Sequence, residues 1–182
     1  LGTKEDTMTN VKSFLDDKET KAMLITGTHQ YQKHRLVMKG LKECVEKPST
    51  ILFRVNSMEN FDSIFNNSKN FKTGTAYALG EHSVFFDSLN KITWSKTQRE
   101  YDYCILYPLD SVISSSHMYT ILDDLYERRD IKKIFLVSWT DKFNYQYHKE
   151  LGKYYSTHAI YDALQEDADY HERVLNTIKN TR

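Results

Sequence analysis

Cysteine is nearly absent from this chain, with 2 in 182 residues. Cys44 and Cys104 both lie in apolar stretches. A chain of this length can bury about 70% of its unfolded surface and does not need a disulfide scaffold. The two are therefore expected as buried, reduced thiols, and the protein is read as cytoplasmic. Proline is equally scarce at 2, and glycine stands at 6, which excludes collagen-like and linker-rich architectures. An excess of one charge is also missing: 25 Lys+Arg balance 25 Asp+Glu. That excludes a strongly basic polynucleotide binder and an acidic tail. No run approaches the ~18 apolar residues of a membrane span, and no charged-then-apolar start resembles a signal peptide. No membrane partner is expected. Residues 1–7 precede Met8 and read as a cloning remnant or a processed end, leaving 8–182 as a single α/β domain.

Strands and helices alternate along that domain. Lys21–Gly27 and Ile51–Val55 are short apolar runs, as are Tyr101–Tyr107 and Ile134–Trp139. Each reads as a strand buried on both faces. Between the first two, Leu36, Val37, Gly40, Leu41, Cys44 and Val45 share one face of a helix over 33–46, which Lys47-Pro48 ends. A short helix and then a loop are expected over 56–75, around Phe61, Ile64, Phe65 and Phe71. The stretch Thr75–Trp94 is β-like throughout, with Ala76–Leu79, Ser83–Phe86 and Lys91–Trp94 separated by Gly80-Glu81 and Asp87-Ser88 turn signals. Ser114–Ser116 offer N-cap oxygens to a helix through Met118, Ile121, Leu122 and Leu125. Helices over roughly 141–152 and 158–179 close the chain. The pattern predicts a three-layer α/β fold, a mostly parallel sheet flanked by helices, with a β-hairpin insertion around 75–94.

The first strand–helix junction is T-G-T-H-Q-Y-Q-K-H-R, residues 26–35. Open α/β sheets bind ligands beyond the carboxyl ends of their strands, where the next helix begins. Against G-x-x-x-x-G-K-[ST], Gly27 takes the first glycine and Lys33 the lysine. Gln32 stands for the second glycine and His34 for the hydroxyl residue. The chain here resembles a P-loop NTPase core with a degenerate Walker A motif, over about residues 21–140. The resemblance implies a P-loop-like strand order and a phosphate site at Gly27, Thr28, Lys33, His34 and Arg35. Gln32 resists the φ > 0 geometry of a phosphate-cradling loop, and an imidazole at His34 is a poor Mg²⁺ ligand. A bound nucleotide would accordingly be held without Mg²⁺, and hydrolysis is not expected. Asp110 follows its strand two residues late for a Walker B acid. Thr140-Asp141 follows Ile134–Trp139 at the place of a γ-phosphate-sensing tip.

The resemblance thus implies a non-hydrolytic binding or assembly protein, contacting nucleotide, nucleic acid or a partner protein, as clamp-loader-like subunits keep a fold without its chemistry. Two basic clusters, Lys33–Lys42 and Arg128–Lys133, offer nucleic-acid contacts. Tyrosine is the one abundant feature, 13 in all, and every one but Tyr31 and Tyr77 lies in residues 101–182. That Tyr-rich part is the expected protein-partner surface. The alternatives are an enzyme on phosphorylated substrates, using Lys33 with His29 or His34, and a metal-dependent nuclease built from Asp110, Asp130 and Lys132. Asp167 and His171 share a helix face but are expected as an exposed pair.

Overall fold

The computed structural model describes residues 2–60, 71–142 and 144–180. Its centre is a seven-stranded sheet, β1 (Ala22–Thr26), β2 (Thr50–Val55), β3 (Ala76–Leu79), β4 (His82–Ser88), β5 (Glu100–Tyr107), β6 (Asp130–Val137) and β7 (Thr157–Ile160). The spatial order is β3-β4-β2-β5-β6-β1-β7, and every neighbouring pair is parallel except β3–β4. From β1 the chain crosses to β2 and returns through β5 and β6. It then ends on the far side of β1 with β7. The direction of travel reverses between β1 and β6, which is the switch point of the sheet.

Alternation along the central strands builds one core on each face. Met23, Ile25, Phe53, Ile105 and Phe135 pack against Val11 and Phe14 of α1 (Lys4–Asp16) and Val37 and Leu41 of α2 (Lys33–Cys44). Leu24, Leu52, Cys104, Leu106 and Leu136 pack against Leu109 and Val112 of α3 (Leu109–Ile113) and Ile121 and Leu122 of α4 (Met118–Asp123). Two further helices complete the set, the short α5 (Tyr147–Leu151) and the 13-residue α6 (Ala168–Asn180). Gly40 lets the first two helices approach, because a Cβ there would lie 3.0 Å from Val11 Cγ1. The result is the expected three-layer α/β fold with its hairpin inserted after β2.

The insertion is held by a buried charge network. Arg54, on β2, donates through Nε to Asp87 Oδ1 at 2.8 Å and through Nη2 to Asp87 Oδ2 at 2.9 Å. The same Nη2 lies 2.8 Å from Asp124 Oδ2, which also accepts from Arg129 Nε at 2.8 Å. Arg129 donates onward to the Gln98 and Trp94 carbonyls, and the Arg54 guanidinium lies 4.4 Å over the Trp94 ring.

The structure differs from the sequence expectations in several elements. Lys91–Trp94 is not a strand but the start of a 3-10 turn over Lys91–Lys96, whose Trp94 Nε1–H donates to Ser88 O at 2.8 Å. The helix expected over 141–152 shrinks to α5. The one expected over 158–179 is two elements, β7 and α6. None of Ser114–Ser116 is the N-cap residue: α4 begins behind His117, whose N–H donates to Ser115 Oγ at 3.0 Å, and α3 starts directly after Pro108. Met58–Asn60 is a 3-10 turn, and the rest of the helix expected there, over 61–70, lies outside the described residues. Residues 3–7 have a place in the fold: Thr3 caps α1, and the Thr7 hydroxyl donates to Ile160 O at 2.7 Å.

Candidate functional site

The tips of β1, β5, β6 and β7 converge at the carboxyl edge beside the switch point, where the sequence places the phosphate loop. Gly27 leaves β1 with φ +126°, and a Cβ added to it would stand 2.1 Å from Tyr161 O. The glycine is therefore demanded by the close approach of the segment that follows β7. Gly27→Ala is expected to displace that segment and cost several kcal/mol. Chemical denaturation should show it, and a loss of under about 1 kcal/mol would refute the packing role.

Lys33, at the first turn of α2, has no exposed surface. Its Nζ donates to Gly27 O at 2.5 Å and to Trp139 O at 3.1 Å, bridging the crevice between β1 and β6. Burial lowers its pKa from the usual lysine value to about 8; nearby Asp141, then Asp110 and Asp162, oppose the fall. Five of the loop's backbone donors are used within the chain. Gly27 N–H donates to Asp141 Oδ2 at 2.7 Å and Thr28 N–H to Asp162 Oδ1 at 2.9 Å. His29, Gln30 and Gln32 N–H donate to the carbonyls of Tyr161, Thr28 and His29. Carboxylates of this chain thus take the first two of these donors.

Side chains close the loop from above. The Thr28 hydroxyl accepts from Ala163 N–H at 2.9 Å and shares a hydrogen bond with His171 Nδ1 at 2.6 Å. His171 is therefore buried against the loop and is not an exposed partner of Asp167. Glu166 joins His29 Nε2 at 2.7 Å and the Tyr161 hydroxyl at 2.8 Å. Tyrosine hydroxyls fasten the remainder: Tyr107 to Gln30 O, Tyr170 to Gln30 Oε1, and Tyr147 to Asp141 Oδ1. Asp110 accepts from Trp139 N–H at 2.7 Å and Thr140 N–H at 2.9 Å, which ties β5 to β6. Burial raises the Asp110 pKa against these two hydrogen bonds.

The expected site residues separate accordingly. Gly27, Thr28 and Lys33 share one constellation. His34 turns into the core, stacked 4.3 Å from the Tyr107 ring, and Arg35 is half-buried on the next position. The basic clusters do not form continuous stripes, because Lys33, Arg129 and Lys133 point inward. Lys133 Nζ donates to the Asp17 and Thr20 carbonyls at 2.5 Å, and exposed Lys132 pairs with Asp102 at 3.0 Å. The nuclease arrangement does not assemble. Asp130 and Lys132 begin β6, whereas Asp110 binds the backbone beyond its far end, roughly 25 Å of strand away. Among the described residues no group of three or more His, Cys, Asp or Glu is placed to hold a metal ion. Cys104 is buried, with its thiol pushed up to about 12 by burial, but Cys44 is only half-buried. Among the described residues no helix is long and apolar enough to cross a membrane.

Asp162 and Glu166 escaped the sequence reading because no local spacing links them to residues 27–33. In the sequence His171 stands out only as the i+4 neighbour of Asp167. No protein-family model matches this chain, and no curated protein sequence matches it.

Proposed function

We propose that the chain works by binding a partner protein, on a P-loop-like scaffold whose phosphate loop is closed by its own side chains. One observation carries this reading: the Gly27 and Thr28 N–H groups are held by Asp141 and Asp162, while Lys33 Nζ is held by the Gly27 and Trp139 carbonyls. A nucleotide would have to displace two carboxylates and carry its own negative charge into a region already holding Asp110, Asp141 and Asp162. The loop's place beside the switch point supports the P-loop-like order.

The rival reading, an enzyme on phosphorylated substrates, loses the two imidazoles that it needs beside Lys33: His34 stacks on Tyr107 and His29 is paired with Glu166. Nucleic-acid binding is disfavoured by the inward-turned basic residues. The test is thermal unfolding with ATP or GTP at millimolar concentration, with and without Mg²⁺. The melting temperature is expected to stay within about 1 °C of the unliganded value. A nucleotide-dependent rise of several degrees would overturn the proposal.

A further inference from the structure

Two exposed aromatic rings touch each other beside the closed loop. Tyr31 is 54% exposed and Trp139 39%, with their rings 6.2 Å apart in an edge-on contact. Trp139 also walls a cleft of about 430 Å³ between the tips of β2, β5 and β6, whose lining is mainly apolar. A space of that size takes one bulky side chain. The indole is not a loosely held surface ring. Its backbone is anchored on both sides, N–H to Asp110 and C=O to Lys33. Aromatic rings on a fixed backbone are the usual anchors of a protein interface, because little conformational entropy is lost when they bind.

The charge that this surface offers outward is positive. Asp110 turns both oxygens to backbone N–H groups, and Asp141 is taken by Gly27 N–H and the Tyr147 hydroxyl. Both acids are thus engaged inside the chain. Lys142 is the exposed charge of the cleft lining and lies 5.6 Å from the Tyr145 ring. On α6, Tyr170, Arg173 and Thr177 follow at i, i+3 and i+7 and so share one side, on which Thr177 reaches the cleft. Arg173 lies 5.9 Å over the Tyr170 ring, whose hydroxyl bonds Gln30 of the lining. Asp169 and Glu172 fall outside that stripe of the helix. Among the described residues neither Lys142 nor Arg173 pairs with a carboxylate. Such cations at the rim of an apolar floor attract a surface of opposite charge and repel a basic one.

We infer that the Tyr31–Trp139 surface docks an acidic segment of a partner protein. The segment sets one bulky apolar side chain into the cleft and its carboxylates against Lys142 and Arg173. The inference rests on the binding reading above and gives that partner a chemical signature. It differs from nucleotide binding in where the negative charge goes, which is to the rim and not into the region of Asp110, Asp141 and Asp162. It also accounts for two large rings left in water next to a loop whose N–H groups are engaged internally.

The experiment follows the indole N–H resonances of ¹⁵N-labelled protein, assigned with Trp139→Phe. The probes are three end-capped peptides, Glu-Glu-Leu-Glu-Glu, Glu-Glu-Ala-Glu-Glu and Lys-Lys-Leu-Lys-Lys. The first should shift the Trp139 signal saturably and bind at least about tenfold more tightly than either of the others. The buried Trp94 signal should stay in place. Raising the salt to about 0.5 M should weaken the first peptide several-fold. Lys142→Glu combined with Arg173→Glu should invert the preference, so that the lysine peptide binds more tightly than the glutamate one. Both side chains are exposed, so the melting temperature should be unchanged. Should the double variant fold poorly, Lys142→Gln alone should weaken the first peptide about threefold. Equal responses to the acidic and basic peptides, or none to any, overturn the surface. So does a concentration-dependent dimer in sedimentation that Trp139→Asp abolishes, because a second copy then covers these rings. Either failure leaves the binding-only reading standing if nucleotides still produce no thermal shift, whereas a nucleotide-dependent rise removes that reading itself.

Discussion

Arg54→Met should destabilise the protein by about 3–5 kcal/mol, the cost of breaking a buried ion pair by removing one partner. The methionine fills much of the same space, so the loss does not come mainly from a cavity. It comes from Asp87 and Asp124, which are left in the interior with their cation gone. Asp124 keeps Arg129, whereas Asp87 keeps, among the described residues, the Thr97 hydroxyl at 2.9 Å. Asp87→Asn, which retains the shape but not the charge, should therefore recover part of the loss when combined with Arg54→Met. Denaturant midpoints at constant m-value measure both. A single-mutant loss below about 1 kcal/mol, or no recovery in the double mutant, would show that the network is not what holds the insertion.

Alkaline pH is expected to unfold the protein over a narrow range. Burial raises the pKa values of Tyr107, Tyr126 and Tyr147 well above the ordinary phenol value. Each folded ring thus keeps its proton where the unfolded ring would lose it. Stability from such a group is complete below about pH 10 and falls by about 1.4 kcal/mol per pH unit above it. Together these three tyrosines remove about 4 kcal/mol per unit, against a total stability of about 5–15 kcal/mol for a domain. Lys33 acts in the opposite sense. Its folded pKa of about 8 lies below its unfolded value, so raising the pH from about 8 to 10.5 relieves the burial of its charge. Stability should hold or rise slightly to about pH 10 and then collapse. Melting temperatures from pH 7 to 11.5 would show the break, and a flat profile to pH 11.5 would contradict it.

The tyrosines also show how the sequence and the structure relate. Their excess reads as contact surface, yet Tyr107, Tyr145, Tyr147 and Tyr170 direct their hydroxyls at the loops of the carboxyl edge. Burial of hydroxyl and ring together is a property of tertiary position, which residue type cannot reveal. The central strands were legible because burial on both faces writes a continuous apolar run, as in Leu24-Ile25 or Phe135-Leu136. Of the four residues of β7 only Ala159 is buried, so this edge strand leaves no such run. The place of the loop was legible as well, since strand, glycine, lysine and helix are neighbours in sequence. What fills it was not: Asp141, Asp162 and His171 reach it from 114, 134 and 143 residues away.

The place of β1 in the sheet also bears on how the chain folds as it is synthesised. Ala22–Thr26 is buried along its whole length, and its only sheet neighbours are β6 and β7. Both are made more than about 100 residues after it, so this apolar strand waits through that synthesis without a strand to pair with. Topologies of this kind fold slowly and expose sticky intermediates. A nascent chain stalled before Asp130 should accordingly depend on chaperones far more than one released after Ile160.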